Sequence, residues 1–198
     1  TTTVTGTITS GDAADDISFN AGGTDSISVN MGAGDDTVRL QTAPGLLTGS
    51  TTAGAQTIVG GEGTDTLVTG VALSKTTNTG ISGFETLRVT GSATVVLDST
   101  KNDISKLIVD GASGGTITGV EAGATLDLTT AGSVTLDKTT TGAITVNVGN
   151  NSLSGAQTSS VTAAAVTSAT INSLAIATDS TSARSVGVAG AALTAVTV

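Results

Sequence analysis

Acidic side chains are concentrated at the start of the chain, in a pattern that suits the binding of a divalent cation. Residues 1–70 hold eight of the sixteen carboxylates and one basic residue, Arg39, so seven of the nine net negative charges lie in this segment. Such crowding destabilises a folded structure through repulsion unless cations neutralise it. A solvated acidic face is the ordinary alternative. The spacing of the acidic residues favours a cation site.

Four stretches in this segment repeat one pattern. Each begins with small residues, mostly Gly, and continues with Asp, one variable residue and then Ile, Val or Leu. Small residues allow tight turns with positive φ that expose successive carbonyl oxygens, and the apolar residue begins a short strand that points into the core. The stretches are SGDAADDIS (10–18), NAGGTDSIS (20–28), MGAGDDTVR (31–39) and GGEGTDTLV (60–68).

The aspartates that close these turns are candidate metal ligands, at steps of 10, 11 and 29 residues. The first two steps each fit one strand plus one turn, which predicts that Asp15 and Asp36 stack on one edge of a flattened coil. Asp25 and Asp65 would stack on the opposite edge, after an excursion over residues 40–59. Carboxylates and carbonyls, without any His or Cys, form a hard oxygen ligand set that suits calcium better than magnesium.

The remaining sequence predicts the elements that position these turns. From residue 93 onward, short β-branched runs alternate apolar and polar residues, and glycines separate the runs. With no Trp or Tyr and only two Phe, the core must be narrow and aliphatic. This pattern predicts an all-β fold, a parallel β-helix or β-solenoid whose coils bury one another's apolar face. The inward-facing candidates are Ile108, Ile117, Leu126, Val134 and Ile144.

GGEGTDTLV matches the nonapeptide G-G-x-G-x-D-x-U-x at every defined position, so the segment resembles the RTX calcium-binding repeats. Together with MGAGDDTVRL and ISGFETLRVTG (81–91), it is especially similar to Caulobacter-type S-layer proteins, which are rich in Thr, Ala, Gly and Ser and free of cysteine. The resemblance implies type I secretion, calcium-dependent folding outside the cell and calcium-dependent assembly into a lattice. It places an RTX-like calcium-binding β-roll segment at residues 1–91, and residues 92–198 continue the solenoid in one structural unit.

Carried onto this sequence, the resemblance assigns metal coordination to the aspartates of all four turns. Carbonyl oxygens would come from the small residues before them, and neighbouring aspartates join the candidate set. The ligand aspartates are Asp15, Asp25, Asp36 and Asp65, and the other candidates are Gly11, Asp12, Asp16, Asn20, Gly22, Gly32, Gly34, Asp35, Gly61 and Gly63. Ser10, Ala13 and Met31 stand where the family pattern has Gly, which leaves the geometry of the Asp15 turn the least defined.

The residue types that are missing exclude several functions. Without His or Cys there is no imidazole base, thiolate nucleophile, zinc cluster or disulfide. The seven Lys and Arg are scattered, which argues against nucleic acid. No apolar run approaches the roughly 18 residues of a membrane helix. We therefore expect no enzyme activity, no nucleic-acid partner and no membrane insertion.

These observations favour a structural, calcium-stabilised extracellular protein of the bacterial cell surface. We expect it to form a calcium-mediated homo-oligomer, as a lattice or fibre, in an S-layer or comparable coat. The uncharged C-terminal run TAVTV predicts an open edge strand that pairs with another subunit. The alternative is a calcium-dependent adhesin or biofilm-matrix segment that reaches a cell-surface glycan through another region. Further alternatives are a polysaccharide-cleaving enzyme that uses aspartates such as Asp127, and an ice-binding solenoid suggested by irregular Thr-x-Thr pairs.

Overall fold

The described part of the chain consists of parallel β-strands and the turns between them. A computed structural model describes residues 5–19, 26–41, 57–73, 80–91, 94–97, 100–110, 116–130, 132–136, 140–149, 157–173 and 184–198. All strand pairs among these residues are parallel. No residue in these ranges lies in a helix, so none belongs to a helix able to cross a membrane.

The strands alternate along the chain between two sides of the solenoid. The first side holds β1 (Thr5–Thr9), β3 (Ser26–Asn30), β5 (Ile58–Val59), β7 (Ile81–Ser82), β9 (Val95–Val96), β11 (Thr116–Thr118), β13 (Gly132–Leu136), β15 (Gln157–Ala163) and β17 (Arg184–Ala189). The second side holds β2 (Asp16–Phe19), β4 (Thr37–Leu40), β6 (Thr66–Thr69), β8 (Thr86–Val89), β10 (Ile104–Val109), β12 (Val120–Leu128), β14 (Gly142–Val148), β16 (Val166–Ser173) and β18 (Ala195–Thr197).

The sheets follow this alternation. The even-numbered strands form one nine-stranded sheet in chain order from β2 to β18. The odd-numbered strands form two sheets, β1 to β7 and β9 to β17. One odd and one even strand thus make up each coil. The prediction of an all-β fold with long parallel sheets, as in a β-solenoid, is confirmed. The nine-stranded sheet runs past residue 91 without a break in its strand order.

Apolar side chains from successive coils stack in register to form the core. Val38 and Leu67, each two residues after a turn aspartate, are fully buried, as the repeat pattern predicts. Burial of such a column removes apolar surface from water at every coil and is the main stabilising term of the fold. The column runs through Ile17, Val38, Leu67, Leu87, Leu107, Leu126, Val146 and Ile171.

Four of the five inward-facing candidates of the second half are confirmed and one is wrong. The buried ones are Ile117, Leu126, Val134 and Ile144. Ile108 is only half-buried, because its neighbours on both sides, Leu107 and Val109, point into the core. A run of three apolar residues carries no period of two, so the sequence alone does not show which of the three faces outward.

Threonines form a rank on the outer side of the nine-stranded sheet, next to the apolar column. The rank contains Thr37, Thr66, Thr86, Thr125, Thr145, Thr170 and Thr197 in pairing register, with Lys106 between the third and fourth. Branched side chains pack well on a pleated surface, which accounts for the use of Thr here. The next outward position carries charges at Arg39, Arg88 and Asp127, so this face is mixed rather than uniformly hydroxylated.

β18 is the last described strand of the nine-stranded sheet, and all three of its residues are exposed. The strand predicted from the TAVTV run is thus present. Among the described residues, the exposed large apolar side chains are Ile8 in β1 and Val196 and Val198 at β18. They lie on outermost strands, where no described neighbouring coil covers them.

Candidate metal centre

Three of the acidic turns, residues 10–15, 31–36 and 60–65, stack on one another just before β2, β4 and β6. Backbone hydrogen bonds join them: the Ala33 amide donates to the Gly11 carbonyl at 3.2 Å, and the Glu62 amide donates to the Gly32 carbonyl at 2.9 Å. The Gly34 amide donates in turn to the Glu62 carbonyl at 2.8 Å. The repeated sequence therefore forms a repeated turn, and each turn supports the next.

The close stacking depends on glycine in the third turn. Gly61 and Gly63 have φ of 127° and 137°. A β-carbon at these positions would lie 2.0 Å from the Gly32 carbonyl oxygen and 2.1 Å from the Gly34 carbonyl oxygen. No side chain fits there, so these glycines set the distance between turns.

The acidic residues form a column in which each carboxylate binds the backbone of the preceding coil. The Asp15 amide donates to Asp36 Oδ1 at 2.8 Å, and the Asp36 amide donates to Asp65 Oδ1 at 2.9 Å. The Asp65 amide donates to Glu85 Oε2 at 2.8 Å. Bonds from an amide to a charged acceptor are stronger than neutral ones, and here they fix the register of four successive coils.

This column corrects the predicted arrangement of the ligands. Asp65 stacks on Asp36, on the same edge, and the expectation that it lies on the opposite edge is wrong. The pairing of Thr37 with Thr66 shows why: the 29-residue step covers one complete coil. Residues 42–56, which belong to this step, lie outside the described residues.

Glu85 is the member of the column that the metal-site pattern missed. It stands in a Gly-Phe-Glu turn rather than a Gly-x-Asp turn, so the nonapeptide does not detect it. The signal that could have found it is the repetition of acid, Thr and Leu in Asp65-Thr66-Leu67 and Glu85-Thr86-Leu87. The pairing of Thr66 with Thr86 places the two acids at equivalent positions in neighbouring coils.

Two carboxylate oxygens in the column are buried without a partner. Asp36 is 1% exposed and Asp65 is 0% exposed, and the Oδ2 atom of each has no hydrogen bond. A β-carbon on Gly60 would be 2.6 Å from Asp65 Oδ2, so this oxygen points at the first residue of its own turn. An unpaired buried polar atom is costly, and a charged one more so. These two atoms are therefore where an additional ligand would stabilise the structure most.

Electrostatics at Asp65 favour a positive charge beside this carboxylate. Burial raises the pKa of Asp65 above its usual value, and the nearby Glu85, Asp36 and Asp35 carboxylates raise it further. The hydrogen bond from the Asp36 amide opposes this effect only in part. A cation beside Asp65 would relieve both the desolvation and the repulsion.

We expect the cation-free protein to gain stability from Asp65 as the pH falls. Because the pKa of Asp65 is raised in the folded state, the fold binds this proton more tightly than the unfolded chain does. The gain begins as the pH falls through the raised folded pKa and is complete below the unfolded value of about 3.9. Melting in EGTA between pH 7 and 4 measures it, with Asp65→Asn as the control that should lack this component. Identical pH profiles for the two proteins would contradict the assignment.

The donor set fits a hard cation with few carboxylate ligands. Among the described residues, no three or more acidic side chains converge on a point that could hold a metal ion. An ion at Asp36 or Asp65 would therefore take one or two carboxylate oxygens and complete its shell with backbone carbonyls and water, as calcium does with its 6–8 oxygen ligands. The Gly11 and Gly32 carbonyls already accept hydrogen bonds between turns, and each oxygen keeps a second lone pair.

The other predicted site residues that the structure describes lie around the column. Asp12 is exposed, and Asp35 Oδ1 accepts a hydrogen bond from the Thr64 amide at 2.9 Å. Asp16 is bound by the Arg39 guanidinium at 2.8–3.1 Å, and this hydrogen bonding lowers the pKa of Asp16. Asn20, Gly22 and Asp25 lie outside the described residues.

Comparisons with known proteins add no relative to this picture. No protein-family model, no curated protein and no solved structure matches the chain.

Proposed function

We propose that this chain is a calcium-stabilised structural β-solenoid of a bacterial cell surface, which assembles with copies of itself into an S-layer or comparable coat. The observation that carries the proposal is the pair of buried, unpartnered carboxylate oxygens of Asp36 and Asp65 in a column of stacked acidic turns. Calcium there would supply the partner that these oxygens lack. Ion binding and folding of the N-terminal coils would then be coupled.

The ligand set also favours a setting rich in calcium. A site with one or two carboxylates and otherwise neutral oxygens binds calcium weakly, in the range of about 10⁻⁴–10⁻³ M typical of extracellular modules. Such a site fills outside a cell and stays empty at cytosolic calcium concentrations. The similarity of the repeat to secreted RTX proteins agrees with an extracellular location.

Calcium titration by calorimetry tests the binding. We expect the wild type to bind with a Kd of about 10⁻⁴–10⁻³ M and the double variant Asp36→Asn, Asp65→Asn to lose that binding. Asp12→Asn is the matched control, because Asp12 belongs to the same acidic segment but is exposed. Loss of binding in the control alone, or no calcium binding by the wild type, would refute the proposed site.

The assembly part of the proposal assigns pairing between subunits to β18. An uncharged strand with a free side presents backbone donors and acceptors to another chain, and Val196 in β18 is 50% exposed. We expect Val196→Lys to reduce assembly in calcium, because a charge on an edge strand opposes pairing. Thr158→Lys, on an exposed position of the interior strand β15, should assemble normally. Electron microscopy and sedimentation measure this, and equal assembly of the two variants would count against the edge.

Two acids of the second half that the structure describes, Asp110 and Asp127, favour a structural role over catalysis. Asp110 is paired with Arg88, and Asp127 Oδ2 lies 3.3 Å from Lys106 Nζ. Asp127 Oδ1 also accepts a hydrogen bond from Asn147 Nδ2 at 2.6 Å. These contacts join neighbouring coils, and they occupy the carboxylates that a hydrolytic mechanism would need free.

A further inference from the structure

The first residue has a different side chain in each of the three described acidic turns, although its backbone amide makes the same hydrogen bond in all three. It is Ser10 in the first turn, Met31 in the second and Gly60 in the third. Each of these residues donates its amide to a carbonyl of the next coil, at 2.9 Å for Ser10, 3.0 Å for Met31 and 3.0 Å for Gly60. The three positions are therefore structurally equivalent, and only the side chain changes.

The side chain of this first residue decides whether the second carboxylate oxygen of the turn aspartate has a hydrogen-bond donor within the protein. In the first turn, Ser10 Oγ donates to Asp15 Oδ2, and the Gly11 amide lies 3.4 Å from the same oxygen. Met31 and Gly60 have no hydroxyl to donate. The corresponding oxygens, Asp36 Oδ2 and Asp65 Oδ2, are those that are buried and unpartnered.

We propose that the Ser10 hydroxyl takes the place of a calcium ion in the first turn, so that the second and third turns bind calcium and the first does not. This inference rests on the proposed calcium function. A carboxylate oxygen that accepts a hydrogen bond from a hydroxyl already has a partner, whereas Asp36 Oδ2 and Asp65 Oδ2 need one from outside the chain. The resemblance to calcium-binding repeats treats all turns alike, and this structure distinguishes them by one residue.

Met31→Ser tests the inference by giving the second turn the hydroxyl of the first. The backbone at residue 31 is bonded as it is at Ser10, so the new hydroxyl can reach Asp36 Oδ2. Met31 is fully buried, and its truncation also leaves a cavity. Met31→Ala is therefore the matched control, because it leaves a similar cavity without a donor.

The readout is the number of calcium ions bound per chain, measured by equilibrium dialysis. We expect Met31→Ser to bind one ion fewer than the wild type and Met31→Ala to bind as many as the wild type. We expect Ser10→Ala, which removes the hydroxyl from a partly exposed turn, to bind one ion more. Equal counts in Met31→Ser and Met31→Ala, or an unchanged count in Ser10→Ala, would overturn the inference and leave the proposed function standing. A wild type that binds no calcium would overturn both.

Discussion

Removal of calcium with EGTA will lower the melting temperature of the protein by about 5–10 °C for each bound ion at neutral pH. An ion at 100 times its Kd stabilises the folded state by about 2.7 kcal/mol, and each kcal/mol shifts the melting temperature of a chain of this size by about 2–4 °C. Without the ion, the Asp36 and Asp65 carboxylates are buried beside one another with one oxygen each unpaired. Calorimetry or circular dichroism in calcium and in EGTA measures the difference.

The loss should be confined to the N-terminal coils. In a solenoid each coil contacts only its neighbours, so stability is a sum of local terms. Hydrogen exchange in EGTA should therefore accelerate at the amides of Asp36 and Asp65 and leave β12 and β14 protected. Magnesium should not restore the melting temperature, because it requires tighter octahedral geometry. An unchanged melt in excess chelator, or full rescue by magnesium, would show that calcium does not stabilise this fold.

The sequence predicts the fold well because its signals are local. An apolar residue two positions after each turn aspartate places Val38 and Leu67 in the core, since strand side chains alternate between faces. The same alternation marks Leu126 and Ile144 as buried. Register between coils then follows from stacking like residues, and a one-residue slip would expose the whole column.

The arrangement of the site could not be predicted so fully, because it depends on lengths that sequence spacing does not resolve. A step of 29 residues fits either one coil or three shorter segments, and only the pairing of Thr37 with Thr66 shows that it spans one coil. The pattern also shows that Asp36 and Asp65 close turns, but not that one oxygen of each binds the preceding backbone and the other is left unpaired. That division of roles depends on how the turns are placed in space, which spacing along the chain does not give.

Alanine at Gly61 will strongly destabilise the stacked acidic turns. The backbone there has φ of 127°, which an L-residue adopts only with strain. The new methyl group would also lie 2.0 Å from the Gly32 carbonyl oxygen, which is backbone and cannot rotate away. Strain of about 1–3 kcal/mol and overpacking of about 1–3 kcal/mol predict a total loss of about 2–6 kcal/mol. Urea unfolding measures it.

The equivalent glycine of the first turn provides a control with the opposite sign. A β-carbon on Gly11 would meet no atom within 4 Å, and its φ lies outside the positive range. Gly11→Ala should therefore be neutral or stabilising by up to about 1 kcal/mol, because alanine restricts the unfolded chain. Gly61 has a positive φ and lies against the turn below it, whereas Gly11 has neither feature among the described residues, so the contrast measures backbone strain and stacking together. Equal stabilities of the two variants would mean that the turns do not pack on one another, which would contradict the stacked column of carboxylates.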